Sequence, residues 1–81
     1  MDEQNLAALY HRMDQQYRQV EQTPLENQEH LLIILTGLQR AVRTHIRLGT
    51  KIDPDNYAKI LEIVDNTGKI LQCYLDACDN N

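Results

Sequence analysis

Leu31-Leu32-Ile33-Ile34-Leu35, followed by Leu38, Ala41, Val42 and Ile46, is the stretch that decides the fold. At about 100° per residue, Leu31, Ile34, Leu35, Leu38, Ala41, Val42, His45 and Ile46 fall on one broad helical face. That face can fill a core. Leu32 and Ile33 fall toward the opposite side, where a surface helix carries polar groups. Apolar residues there imply neighbours on more than one side. Farther along, the same opposite side passes Thr36 and becomes Arg40, Arg43 and Arg47. The helix is expected to begin enclosed and to end wet on one flank.

Its boundaries carry signals. Thr23-Pro24-Leu25-Glu26 has the order of a capping box, with Thr23 as N-cap, Pro24 at the first helical position and Glu26 reaching back. Gly49 suits the left-handed residue beyond the last turn. Arginines in the last turns complement the helix dipole. This predicts a helix over 24–48.

On the N-terminal side, Leu6, Leu9, Tyr10, Met13, Tyr17 and Val20 recur at spacings of three and four. They predict an amphipathic helix over 3–21, with Asp2 as its N-cap. Its other residues include Gln4, Gln15, Gln16, Gln19 and Gln22, read as a solvated polar face. Only about two residues then separate the first two helices, at the short end of the roughly 2–8 usual in bundles. Such a reversal is strained. An open angle, or packing of helix 1 on another subunit, would relieve it.

On the C-terminal side, Asp53 as N-cap and Pro54 at the first position start a third helix, with Ile52 and Tyr57 placed for a hydrophobic staple. This helix is predicted over 54–78. Tyr57, Ile60, Leu61, Val64, Leu71, Leu75 and Cys78 form its main stripe. Gly68 sits in that stripe at a cost of about 1 kcal/mol against alanine, which predicts a close neighbour there. Ile63, Ile70 and Tyr74, with Thr67 between them, form a second seam.

The fold class is therefore all-α, an elongated three-helix bundle in one domain over 1–81. Helices 2 and 3 are expected as an antiparallel hairpin, with helix 1 packed across it or onto a partner subunit. A core in 81 residues supplies only about 3–5 kcal/mol of net stability. With no Trp, no Phe and four Tyr, that core must be aliphatic. Association would add to it. A homodimer or higher oligomer is expected, through Leu32, Ile33, Ile63, Ile70 and Tyr74.

The net charge of −4 argues against a general nucleic-acid binder. Residues 24–49 are the net-positive segment, with three basic and two acidic side chains between two acidic segments. The acidic N-terminus lacks an apolar run, so no secretory signal is expected. The longest apolar run, five residues, is too short to span a bilayer. Two cysteines, Cys73 and Cys78, suit a reducing compartment, and a cytoplasmic location is expected.

Catalytic chemistry finds little support. Cys73 and Cys78 lie five apart on one helix and point about 140° away from each other, so no single ion is expected between them. Cys78 reads as core and Cys73 as an exposed thiol. His11, His30 and His45 lie on different segments, and His45 reads as a half-buried histidine bonded to backbone or carboxylate. Serine is absent. Thr36, Thr44 and Thr67 sit mid-helix, where threonine bonds its own backbone. The three glycines are scattered, so no phosphate loop forms. Glu62 and Asp65 read as solvated. No cofactor, no metal and no enzymatic activity are expected.

Arg40, Arg43 and Arg47 remain. At i, i+3 and i+7 they point the same way within about 60°, and Lys51 extends them. Such a face can grip carboxylates or phosphates. The simpler account is internal pairing with acidic side chains of the flanking helices (Asp14, Glu62, Asp65 and Asp76). A helix-turn-helix is disfavoured, because the break between helices 2 and 3 is too long and the helices are too extended. The sequence thus reads as a small protein–protein interaction module, an adaptor, regulator or chaperone-like subunit with an acidic protein partner. The alternative is a nucleic-acid-associated regulator using a dimeric arginine surface.

Overall fold

The computed structural model describes residues 4–79. Three helices follow one another: α1 Leu6–Glu21, α2 Gln28–Leu48 and α3 Pro54–Asp79. Their side-chain clusters define the topology. Leu9 and Met13, early in α1, are buried with Val42 late in α2 and with Ile60 and Val64 early in α3. Val20, late in α1, meets Leu31 and Leu35 early in α2 and Leu71 far along α3. Hence α1 and α3 run parallel and α2 runs antiparallel to both. The all-α, three-helix expectation holds. The closest pairing, however, is α1 with α2, and α1 also lies against α3. Helix 1 packs within its own chain and serves as the common neighbour.

The molecule measures 46 × 24 × 17 Å. At 1.5 Å per residue α3 is about 39 Å long and α1 about 24 Å. The last turns of α3 therefore outrun their neighbours. Leu75 is half exposed, and Cys78, expected in the core, is exposed. Ile46, predicted on the core face, is 41% exposed for a similar reason at the far end of α2.

The start of α2 departs from expectation. Its N-cap is Asn27, not Thr23. The Thr23 hydroxyl instead donates to the Gln19 carbonyl at the end of α1. Gln28 Nε2 donates to the carbonyls of Val20 and Glu21, both at 2.8 Å, which closes α1 from across the turn. Leu25 is drawn onto the Val20–Leu35 cluster. The connection is then residues 22–27, long enough for an unstrained reversal. The start of α1 also differs. Asn5 caps it, its side chain accepting from Ala8 N at 3.0 Å. The Asp2 cap lies outside the described residues.

The other boundaries follow the sequence. Asp53 Oδ2 accepts from the amides of Asp55 and Asn56, and Ile52 and Tyr57 pack in one cluster. Gly49 closes α2 at φ 69°, with its amide bonded to the Ile46 carbonyl. Only glycine takes that conformation without a Cβ clash, so Gly49→Ala is expected to cost about 1 kcal/mol in chemical denaturation. An unchanged midpoint would contradict this.

Two glutamines do structural work. Gln4 pairs with both backbone groups of Ile52: Nε2 donates to the carbonyl at 2.6 Å, and Oε1 accepts from the amide at 2.8 Å. Gln16, read as solvated, is buried at 7% exposure. Its Nε2 donates to the Val64 carbonyl at 2.8 Å. Gly68 lies beside it: a Cβ there would stand 3.4 Å from Nε2, in ordinary van der Waals contact. The close neighbour predicted at Gly68 is thus this side chain of α1.

Candidate interaction surfaces

Two surfaces remain once the core is assigned: an arginine flank and the leftover apolar positions. Arg40, Arg43 and Arg47 are all exposed. Internal pairing of this stripe does not occur among the described residues. The acidic side chains that could have met it are engaged elsewhere or simply do not reach it. Arg12 holds Asp65 at 2.6 Å, joining α1 to α3. Arg18 lies 3.4 Å from Asp14 on its own helix. Asp76 accepts from Gln72 at 3.0 Å. Both ion pairs involve exposed side chains and are worth at most about 1 kcal/mol each.

Beside these arginines, a shallow groove between α1 and α2 is lined by Tyr10, Thr36, Gln39, Arg40 and Arg43. The Thr36 hydroxyl donates to the Leu32 carbonyl, so it offers no strong donor to the groove. Tyr10 is half-buried against the core cluster and supplies an apolar wall. The result is a short trough with a tyrosine on one side and two guanidinium groups on the other. Arg47 continues the charge toward the end of α2.

The expected interface residues separate into two sets. Leu32 is not a free surface residue. It packs against the Val20–Leu35 cluster, because that flank of α2 is the one facing α1. Ile33 points out and is 71% exposed. Ile63, Ile70 and Tyr74 are half-buried. On α3 they lie on the side opposite Gly68 and Asp65, which touch α1. Sequence reasoning missed Leu48, which is 70% exposed at the end of α2.

The remaining polar candidates are structural. His45 Nδ1 lies 2.8 Å from the Thr50 hydroxyl, not from a carboxylate or a backbone group, and the contact helps close α2. Thr44 and Thr67 donate to the carbonyls of Arg40 and Ile63. Cys73 and Cys78 are both free and exposed. A hydrogen bond with Cys78 one turn on, helped by partial desolvation, holds the Tyr74 phenol above its ordinary pKa. Among the described residues no cluster of His, Cys, Asp and Glu has the grouping of a metal site. Among them, too, no helix is long and apolar enough to cross a membrane.

No family model, no curated protein and no solved structure matches the chain. Its function therefore has to be argued from these surfaces alone.

Proposed function

We propose that this protein is a small helical interaction module whose α2 arginine flank docks an acidic segment of a protein partner. The observation that carries this reading is the exposure of Arg40, Arg43 and Arg47 with no counter-ion among the described residues, on a chain of net charge −4. Arginine presents a planar fork that pairs carboxylates two bonds at a time. Beside it, Tyr10 offers a rigid apolar wall, the kind of anchor that interfaces favour. Adaptor or regulator describes the role, with no catalytic step and no cofactor. The leftover apolar surface favours an oligomer, a homodimer being the simplest. Two free, exposed thiols are at home in a reducing, cytoplasmic setting.

The net negative charge weighs against nucleic acid as the occupant, because phosphate binding is dominated by long-range charge. Anisotropy titration of labelled poly-L-glutamate and of a short DNA duplex separates the two. Wild-type protein should bind poly-glutamate at low salt. Arg43→Glu should weaken it about tenfold or more while leaving the circular dichroism spectrum unchanged, because Arg43 is exposed. Tight duplex binding with a steep salt slope would replace this reading with the nucleic-acid one. Failure of both probes would overturn the arginine flank as a docking site.

A further inference from the structure

Leu35, fully buried, marks the inward direction of α2. At about 100° per residue, Ile33, Gly37, Arg40, Thr44 and Arg47 point roughly 120° to 200° away from it, on the outer side of the helix. All five are exposed. Their spacing is four, three, four and three, the seam along which one helix packs on another. Thr36 and Arg43, also exposed, flank it. On a helix surface, residues i, i+3, i+4 and i+7 enclose a hole that takes one side chain of a partner helix. Two such holes follow each other here. The first is bounded by Ile33, Thr36, Gly37 and Arg40, the second by Arg40, Arg43, Thr44 and Arg47.

The holes differ in chemistry. The first has an aliphatic wall, Ile33, which is 71% exposed. Its floor is open, because a Cβ on Gly37 would meet nothing within 4 Å. The second is ringed by three guanidinium groups with no counter-ion among the described residues. The Thr36 and Thr44 hydroxyls donate to the Leu32 and Arg40 carbonyls of their own helix, so charge sets the preference. Beyond Glu29 in its first turn α2 holds no acidic residue, and none occurs from His30 to Ile52.

We infer that this seam seats one amphipathic helix of a protein partner, antiparallel to α2. An acidic side chain of that helix enters the arginine-ringed hole, and an apolar one seven residues later enters the hole at Gly37. This rests on, and deepens, the acidic-partner reading.

Charge complementarity selects the occupant. A second copy laid along the seam would bring arginines against arginines, a repulsive contact. Self-association then uses another face. Spacing selects a helix. The two holes lie seven residues, or about 10.5 Å, apart, and side chains seven apart on a partner helix repeat at that distance on one face. A strand presents same-face side chains at about 6.6 or 13 Å, out of step with the holes. The helix dipole selects the direction. The arginine-ringed hole lies nearer the C-terminal end of α2. Antiparallel seating puts the partner's acid toward its own N-terminus, where a carboxylate stabilises a helix. Arg40 and Arg43 also line the trough beside Tyr10, so the docked helix lies alongside that trough.

Calorimetric titration of the full chain with three synthetic peptides of about 18 residues tests this. The first is helix-forming, with Glu followed seven residues later by Leu. The second reverses that order at the same composition. The third is the first with a proline placed midway, which breaks the helix. The first should bind and gain helicity in circular dichroism. The other two should bind about tenfold or more weakly. Ile33→Ser should weaken the first peptide about fivefold or more and leave poly-glutamate binding unchanged, whereas Arg40→Glu should weaken both. Both side chains are exposed, so the chain's own helix content should persist. Equal binding of the first and third peptides overturns the helical occupant and leaves the acidic-partner reading in place. Equal binding of the two orders overturns the antiparallel seating. Tighter binding of a short DNA duplex, or a chain dimer in light scattering that the first peptide displaces, assigns the seam to another occupant. Wild-type protein that binds poly-glutamate but not the first peptide refutes this inference alone; binding neither refutes both readings.

Discussion

The Gln16→Glu variant should lose most of its stability at neutral pH and regain much of it in acid. Gln16 is 7% exposed, and its Nε2 donates to the Val64 carbonyl. An ionised glutamate in its place has no proton to donate. It would set a buried negative charge against a carbonyl oxygen, at a cost of about 3–5 kcal/mol. That is of the order of the whole stability of a domain this size. Burial and the facing carbonyl would raise the folded-state pKa of the new carboxyl above its unfolded value near 4.3. The penalty is therefore full above the folded pKa and disappears below the unfolded one, where the protonated acid can donate to Val64 again. Stability should rise as the pH falls through that window, relative to wild type at each pH. Urea denaturation followed by circular dichroism, at neutral pH and at about pH 4, measures it. An equal loss at both pH values would contradict the hydrogen-bond account. The Oε1 of Gln16 has no partner among the described residues. Gln16→Met, which keeps the length and removes that orphan acceptor, should accordingly be far milder than Gln16→Glu.

Leu35→Ala is expected to have the next largest effect. Leu35 is fully enclosed by the cluster of Val20, Leu31 and Leu71, at the level where all three helices meet. Truncation there removes apolar contact and leaves a cavity that rigid neighbours close only in part. The cost is about 3 kcal/mol, within the usual range of roughly 2–5. For a chain of this length it should lower the melting temperature by about 10–20 °C. Leu75→Ala provides the contrast. Leu75 is 54% exposed on the overhanging end of α3, so its loss should stay well under about 1 kcal/mol. A reversed order of the two would mean that the inward face of the bundle has been assigned wrongly.

The three helices were legible from periodicity, and two of their boundaries from chemistry. Asp53-Pro54 and Gly49 act through backbone geometry that the residues impose by themselves, so no distant partner can change their meaning. Thr23-Pro24 has the same form, yet α2 starts after Asn27, whose side chain makes no cap bond. There, Leu25 has an apolar site to reach and Gln28 has the α1 carbonyls to close, and these contacts outweigh the local signal. The pairing of α1 with α2 followed from that longer connection, which removed the strain that would have favoured a swapped helix 1.

The burial of Gln16 has a signature in the sequence. Leu9, Met13, Gln16 and Val20 recur at spacings of four, three and four, which places the glutamine in phase with the core. Gly68 opposite it was the matching half of the signal. A hydrophobicity pattern counts glutamine as polar and so hides both. The arginine stripe was legible as a stripe. Its freedom was not, because whether the acidic side chains of α1 and α3 reach it is settled by the relative rotation of three helices, which no single helix encodes. The same holds for Leu32. Its distance from the inward direction could be computed, but not which flank α1 would cover.

The central proposal is that α2 presents an arginine flank, unpaired among the described residues, to an acidic protein segment. Amide chemical-shift mapping on the isotope-labelled chain, titrated with a short glutamate-rich peptide, tests it most directly. The account predicts saturable shifts centred on Tyr10, Gln39, Arg40, Arg43 and Arg47, absent in Arg43→Glu. Shifts spread evenly over all basic side chains, or centred on Lys59 and Lys69 of α3, would contradict it.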